Sequence, residues 1–176
     1  MKSNVKKIVM TALLTALTCA ATMSIRIPTP GTGGYIHPGD ALVILSGIIL
    51  GPAGGFLAGG AGSALSDLLG GYFIYVPITL VIKGLVALLS ALAFQKMAGK
   101  GKRQYAGVIL GGIIDICLVA GGYFVCESFL YGVGAAAASI PANLIQGTGG
   151  LVIALILYPA LTAVPDVRRM MVSASH

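Results

Sequence analysis

A chain of 176 residues in which 57% are hydrophobic and 9% charged has too little polar surface to coat a water-soluble globule. Eleven Lys or Arg against five acidic residues give a net charge of +6, yet the basic residues sit in short polar stretches instead of spreading over a face that could follow a nucleic acid. Composition therefore excludes a soluble globular domain and a nucleic-acid partner. It leaves the lipid bilayer as the main solvent of the chain.

The first apolar run, Ile8 to Met23, follows Lys6 and Lys7 in the manner of a signal peptide, but equally hydrophobic segments continue to Pro159, so it reads as a retained first span. Next comes the stretch Ser24 to Gly39, which Pro28, Pro30 and Pro38 keep from being helical. Asp40 to Leu50 and Pro52 to Leu69 form the second and third segments, separated at Gly51-Pro52. Eleven residues rise only about 16 Å as a helix, so the second segment has to extend into its flanks or be tilted and shielded by protein to cross a core of roughly 30 Å. Ile78 to Phe94, Ala106 to Tyr123 and Ile140 to Tyr158 are the fourth, fifth and sixth. The expectation is an all-α membrane protein, residues 1–176 forming one compact bundle of six transmembrane helices without a soluble domain.

The basic clusters orient this bundle. Lys2, Lys6 and Lys7 precede the first helix, Lys96, Lys100, Lys102 and Arg103 join the fourth to the fifth, and Arg168 and Arg169 follow the sixth. With six spans all three clusters fall on one face, which the positive-inside rule makes cytoplasmic together with both termini. Loops 24–39, 70–77 and 124–139 are then external, with Arg26 their one basic residue. Five or seven spans would fit only by ignoring either hydropathy or charge.

Among the 26 glycines, Gly47, Gly51, Gly55 and Gly59 recur every four residues. Either the spacing is chance in a glycine-rich chain, or small residues let helices of the second and third segments pack backbone to backbone. Ala12, Ala16 and Ala20 give the first helix a smooth stripe of the same kind, able to pack inside the protein or against another membrane protein. Cys19, Cys117 and Cys126 lie in apolar runs without a CxxC spacing, a pattern of packing residues and not of a disulfide framework or metal site.

No Walker loop, HExxH, GxSxG or paired metal-ligand cluster occurs, so neither ATP hydrolysis, a catalytic residue nor a resident metal or cofactor is expected. The informative residues are ionisable or polar groups at lipid depth, costly there unless paired, wetted or used for a ligand. They gather at the predicted outer ends: Asp40 at the start of the second helix, Asp67 near the end of the third, Lys83 in the fourth, Glu127 after the fifth, and Asn143 with Gln146 opening the sixth. Arg26 and His37 belong to the first loop above them. Bland alternatives stand beside each: Asp40 as a helix cap, Asp67 and Lys83 as a structural ion pair, His37 as a solvated turn residue, and Tyr35, Tyr72, Tyr75, Tyr123 and Tyr131 as interfacial belt residues. Asp115 falls mid-helix without an assignable partner. Taken together, acceptors, donors and rings converge on one end of a small bundle, as in a small-molecule pocket.

Several stretches carry a resemblance: Arg26-Ile27-Pro28, Gly34-Tyr35-Ile36-His37-Pro38-Gly39-Asp40, Leu50-Gly51-Pro52, Ser63 through Tyr72, and Thr79 through Lys83-Gly84. The chain resembles the substrate-binding S components of energy-coupling factor (ECF) vitamin transporters, in particular the pyridoxine and hydroxymethylpyrimidine carriers. The motifs lie in the first half of the chain; the second half matches by span count. The resemblance implies a multi-pass protein of the bacterial plasma membrane that captures a vitamin or precursor near the outer face, under a gating first loop. It implies association with a transmembrane T subunit and two ATPase subunits of an ABC-type importer. Ala12-Leu13-Leu14-Thr15-Ala16 looks like the AxxxA element through which S components dock on the T subunit. The expected substrate contacts are Arg26, Tyr35, His37, Asp40, Asp67, Tyr75, Lys83, Glu127, Asn143 and Gln146. A stand-alone channel or facilitator is the competing reading, and an intramembrane enzyme a weaker one.

Overall fold

A computed structural model describes residues 2–97 and 102–174; Lys100, one of the basic residues used above, lies outside the described residues. Helix α1 (Lys2–Ser24) leads into two short strands, β1 (Ile27–Pro28) and β2 (Tyr35–Ile36), and then α2 (Asp40–Gly55), a π-helical stretch (Phe56–Ala61) and α3 (Gly62–Gly70). Helices α4 (Tyr75–Lys96), α5 (Lys102–Tyr131), α6 (Val133–Ala163) and α7 (Pro165–Ala174) complete the order. The all-helical expectation holds for the bundle. In the prolines of the first loop it is qualified by a two-residue antiparallel ladder pairing Ile27 with Ile36 and Pro28 with Tyr35.

Among the described residues, five continuous stretches are long and apolar enough to cross a membrane, one of them the 31 residues Asp40–Gly70. That stretch is not one straight rod. Gly51 leaves helical geometry at φ +78° and ψ −178°, a region that glycine enters without a Cβ penalty. A Cβ on Gly55 would lie 2.4 Å from the Cα of Gly47, and one on Gly59 would lie 3.0 Å from Val43. Residues equidistant from Gly51 therefore face each other, and the chain doubles back there. The four-residue glycine spacing resolves into two roles: Gly51 makes the reversal, while Gly47, Gly55 and Gly59 are contact points. A Cβ on Gly47 would also lie 2.0 Å from the carbonyl oxygen of Ala87 in α4. No side chain fits between these backbones.

The shortness of α2 is explained by its surroundings. Val43, Ile44, Leu45, Ile48 and Ile49 are all buried, because α2 runs through the centre against α1, α4, α6, α7 and the π-helical stretch. It is shielded by protein and needs no lipid-facing length. Helix α1 is peripheral: it buries Leu14, Thr18 and Thr22 and leaves Leu13 and Leu17 exposed.

One expectation is corrected. The predicted external loop 124–139 is largely helix, since α5 continues to Tyr131, α6 begins at Val133, and the chain turns at Gly132 with φ +87°. The run Ala135 to Ala138 favours helix, and Pro141 sits within the early turns of α6 without ending it. At 30 and 31 residues, α5 and α6 are each roughly 45 Å long and outreach a bilayer core. At the C-terminus Arg168 and Arg169 follow the sixth span as expected and stand on a separate amphipathic helix. Val167, Met170 and Met171 of α7 are buried against α2, while both arginines are exposed. The Lys6 ammonium pairs with the Asp166 carboxylate, so the start of α1 and the start of α7 lie at the same end of the bundle.

Candidate functional site

The opposite end holds a concentration of buried polar side chains. Its lowest layer is an ion pair. Asp40 and Lys83 are both fully buried; Lys83 Nζ donates to Asp40 Oδ1 at 2.5 Å and Gln146 Nε2 donates to Oδ2 at 2.8 Å. Neither bland alternative for these residues survives. Asp40 makes no capping bond at the start of α2, and Lys83 pairs with Asp40 instead of Asp67. Asp115 is fully buried as well, its two oxygens without a hydrogen-bond partner among the described residues. It faces the pair across Gly150, where a Cβ would lie 2.7 Å from Asp40 Cβ and 3.4 Å from Asp115 Oδ2.

Above this floor a cavity opens, lined by Thr29, Gly34, Tyr35, His37, Asp67, Tyr75, Thr79, Tyr123, Glu127, Asn143 and Gln146. On one wall Tyr75 Oη donates to Glu127 Oε1 at 2.9 Å and Ser139 Oγ donates to Oε2 at 2.5 Å. The helical extension that replaces the expected loop is what aligns these groups: Glu127 belongs to α5, Ser139 and Asn143 to α6. Asn143 Nδ2 reaches Ser139 Oγ only at 3.4 Å, leaving most of its amide capacity toward the cavity. Deeper in, Thr79 and Tyr123 share a hydrogen bond at 2.9 Å.

The β1–β2 loop roofs the cavity. Tyr35 Oη donates to Asp67 Oδ1 at 2.7 Å, and the His37 backbone N–H donates to Gln146 Oε1 at 3.1 Å, so the loop is fastened to α3 on one side and α6 on the other. Arg26 stands outside the cavity. Its guanidinium donates to the Ser66 carbonyl at 2.9 Å and lies 4.9 Å from the Tyr35 ring centre and 5.6 Å from that of Tyr72, a cation–π clamp on the loop. His37 is not a solvated turn residue: it lines the cavity, and its Nδ1 accepts the Gly39 N–H at 3.1 Å. Loss of water pushes its imidazole down to about 4, against the pull of Asp40 in the other direction. The ring is therefore neutral at physiological pH, as acceptance at Nδ1 requires. Burial and the bond to Asp67 push the Tyr35 phenol up, keeping it a donor.

The structure thus gathers Tyr35, His37, Asp67, Tyr75, Glu127, Asn143 and Gln146 around one space, puts Asp40 and Lys83 beneath it, and puts Arg26 on its roof. Thr29, Gly34, Ser66 and Ser139 belong to the arrangement and were not among the expected substrate contacts, although Gly34 and Ser66 stand in the stretches that carry the resemblance. Ser139 had a signal, a polar side chain one turn before Asn143 in an alanine run; Gly34 had only its place in a resemblance stretch, since its role is to bring backbone close to Glu127, where a Cβ would sit 3.2 Å from Oε1. Tyr72 and Tyr131 keep the rim character of belt residues, half-buried and partly exposed. The cavity has a volume of only about 20 Å³. Entry of a ring-sized molecule requires the loop to move.

Fold and site together define a helical membrane protein with a small polar and aromatic cavity at one end, roofed by the β1–β2 loop. Residues 2–163 match the family model described as ECF-type riboflavin transporter, S component, and the chain belongs to that family of integral membrane transport proteins. An uncharacterised protein of Pyrococcus woesei is 35% identical over 75% of this chain and 85% of its own length. The thiamine precursor transporter HmpT of Lactococcus lactis is 29% identical over 90% of this chain and 89% of its own. A solved S component of a bacterial ECF transporter shares the fold with a TM-score of 0.65 at 22% identity, covering 91% of this chain and 97% of that one.

Proposed function

We propose that this chain is the membrane-embedded binding subunit of an ECF-type importer of the plasma membrane, holding a hydroxymethylpyrimidine-like vitamin precursor in the roofed cavity. Delivery inward depends on a transmembrane T subunit and two ATPase subunits. The cavity carries the reading: a lid fastened by Tyr35 and His37 covers an aromatic and hydrogen-bonding chamber too small for cargo until the lid lifts. The likeness to a thiamine precursor transporter favours the pyrimidine over pyridoxine. The buried Asp40–Lys83 pair, with the apolar run Val43 to Ile49 below it, gives the chamber a closed floor, which favours a capture protein over an open channel. Asn143 is the wall residue with the most unused hydrogen-bonding capacity. Isothermal titration of detergent-purified protein should find the pyrimidine bound about tenfold or more weakly by Asn143→Ala, about 1.4 kcal/mol, at unchanged melting and elution. Unchanged affinity would remove the cargo from this cavity.

The same reading takes the reversal at Gly51 as a membrane turn, giving six spans and cytoplasmic termini. The Lys6–Asp166 pair supports an even number, since it joins the two ends of the spanning region. In intact cells and a background free of native cysteines, Pro30→Cys on the lid should react with an impermeant maleimide and Lys96→Cys should not. The reverse pattern would invert the orientation.

A further inference from the structure

We propose that Asp67 selects the cargo. Its Oδ2 accepts an N–H of the bound ring, so that the site admits a neutral or cationic amino-substituted heteroaromatic and rejects anionic forms, phosphate monoesters included. The inference rests on the reading of the cavity as the binding site and goes beyond it by assigning the chemical class that the site reads.

The argument starts from an accounting of carboxylate oxygens around the chamber. Glu127 has a donor on each oxygen, Tyr75 on one and Ser139 on the other. Asp40 likewise has Lys83 and Gln146. Asp67 is different: Oδ1 takes the Tyr35 hydroxyl, while Oδ2 is buried with no hydrogen-bond partner among the described residues. Thr79, the neighbouring hydroxyl, shares a hydrogen bond with Tyr123 in which either oxygen can be the donor, and it falls short of bonding Oδ2. Asp67 is 3% exposed and lines the cavity. A carboxylate is an acceptor at both oxygens, and a buried acceptor without a donor carries a desolvation cost that a donor from the ligand removes. That donor is assigned to the cargo.

Charge gives the same answer. Two acidic residues, Asp67 and Glu127, line the chamber, and none of the described lining residues is a lysine or arginine. Lys83 is fully buried on Asp40, and Arg26 is engaged outside by Ser66 and two tyrosine rings. His37, held neutral, adds no positive charge. A phosphate placed here would meet two carboxylates with no lysine or arginine among the lining residues to bond it, and the nearest cations, Lys83 and Arg26, are already engaged, a repulsion that specific sites use to turn ligands away. The lid contributes as well. Tyr35 reaches Asp67 from the roof, so the residue assigned to the cargo also fastens the loop, with the tyrosine on Oδ1 while Oδ2 stays unpartnered.

The test uses the purified full-length protein and three probes: a hydroxymethylpyrimidine with a ring amino group, its oxo counterpart lacking that amine, and its phosphate monoester. The parent protein should bind the amino compound about tenfold or more tighter than the oxo compound, and about a hundredfold or more tighter than the ester. Asp67→Asn, with matched melting and elution, should lose most of both preferences while still binding the oxo compound. Equal affinity of the parent for all three probes overturns the proposal without any variant, which keeps the test valid if Asp67→Asn fails to fold. Preferences that persist in a folded Asp67→Asn overturn the assignment to Asp67 while leaving the cargo reading intact. Failure of the parent to bind any of the three overturns the cargo reading and this inference with it.

Discussion

Replacing Lys83 by alanine should destabilise the purified protein by about 3–5 kcal/mol, the range for leaving one member of a buried ion pair alone. The Asp40 carboxylate would keep its bond from Gln146 but lose the ammonium at 2.5 Å, in a place where neither side chain meets solvent. Asp115 stands beside it with no donor of its own, so the lost cation would be felt by two carboxyl groups. The sequence reading put Lys83 at or just behind the cargo; its complete burial beneath the chamber makes stability the first property to fail and affinity the second. Removing both partners should be milder. Asp40→Leu with Lys83→Leu exchanges the pair for apolar side chains, and such exchanges are often neutral or stabilising. Thermal or denaturant unfolding in detergent, compared across the single and double variants, is the measurement. A single variant that melts with the parent would mean that water or another group compensates Asp40, and the floor would have to be redrawn.

The second large effect is on transport. Ala12 and Ala16 lie exposed on α1 along a shallow groove of about 650 Å³ shared with Lys7, Ile8, Thr11, Thr15, Leu57 and Leu65. Ala20, expected in the same stripe, is exposed but stands outside that groove. An alanine surface between α1 and the doubled-back Asp40–Gly70 stretch allows close helix approach, and a large ring there wedges a partner away. Ala16→Trp should reduce uptake in cells to near background and lower the yield of co-purified T subunit about tenfold or more, about 1.4 kcal/mol of association. The isolated variant should still bind cargo normally, because none of the residues lining the groove lines the chamber. Loss of binding with assembly intact would refute the docking assignment. Full uptake by the unaltered chain in cells that lack any T subunit would instead favour a stand-alone facilitator.

Much of this protein was legible in its sequence for one reason: in lipid the cost of exposing polar groups is large enough that composition alone reports where the chain can lie. The apolar runs, the break at Gly51 and the non-helical first loop follow from residue types in order along the chain. The segregated basic clusters carry the orientation argument in the same way. The collection of Asp67, Glu127, Asn143, Gln146, Tyr35 and His37 at one end was legible too, since each is costly at that depth without a reason. Pairing was not legible. Asp67 and Lys83 looked like partners because they occupy adjacent segments, yet Lys83 reaches Asp40, and Asp67 is left for the lid. Hydrogen bonds are decided over a few ångströms, and those distances depend on how α2, α3 and α4 rotate about their axes. Nor could hydropathy foresee that residues 124–139 would be helix: their polar and small residues read as a loop, while packing of α5 against α6 continues the helices to Gly132 and so brings Glu127 to Ser139. Local chemistry specified which residues had to be buried together; the close glycine contacts that set helix rotation and depth decided which of them touch.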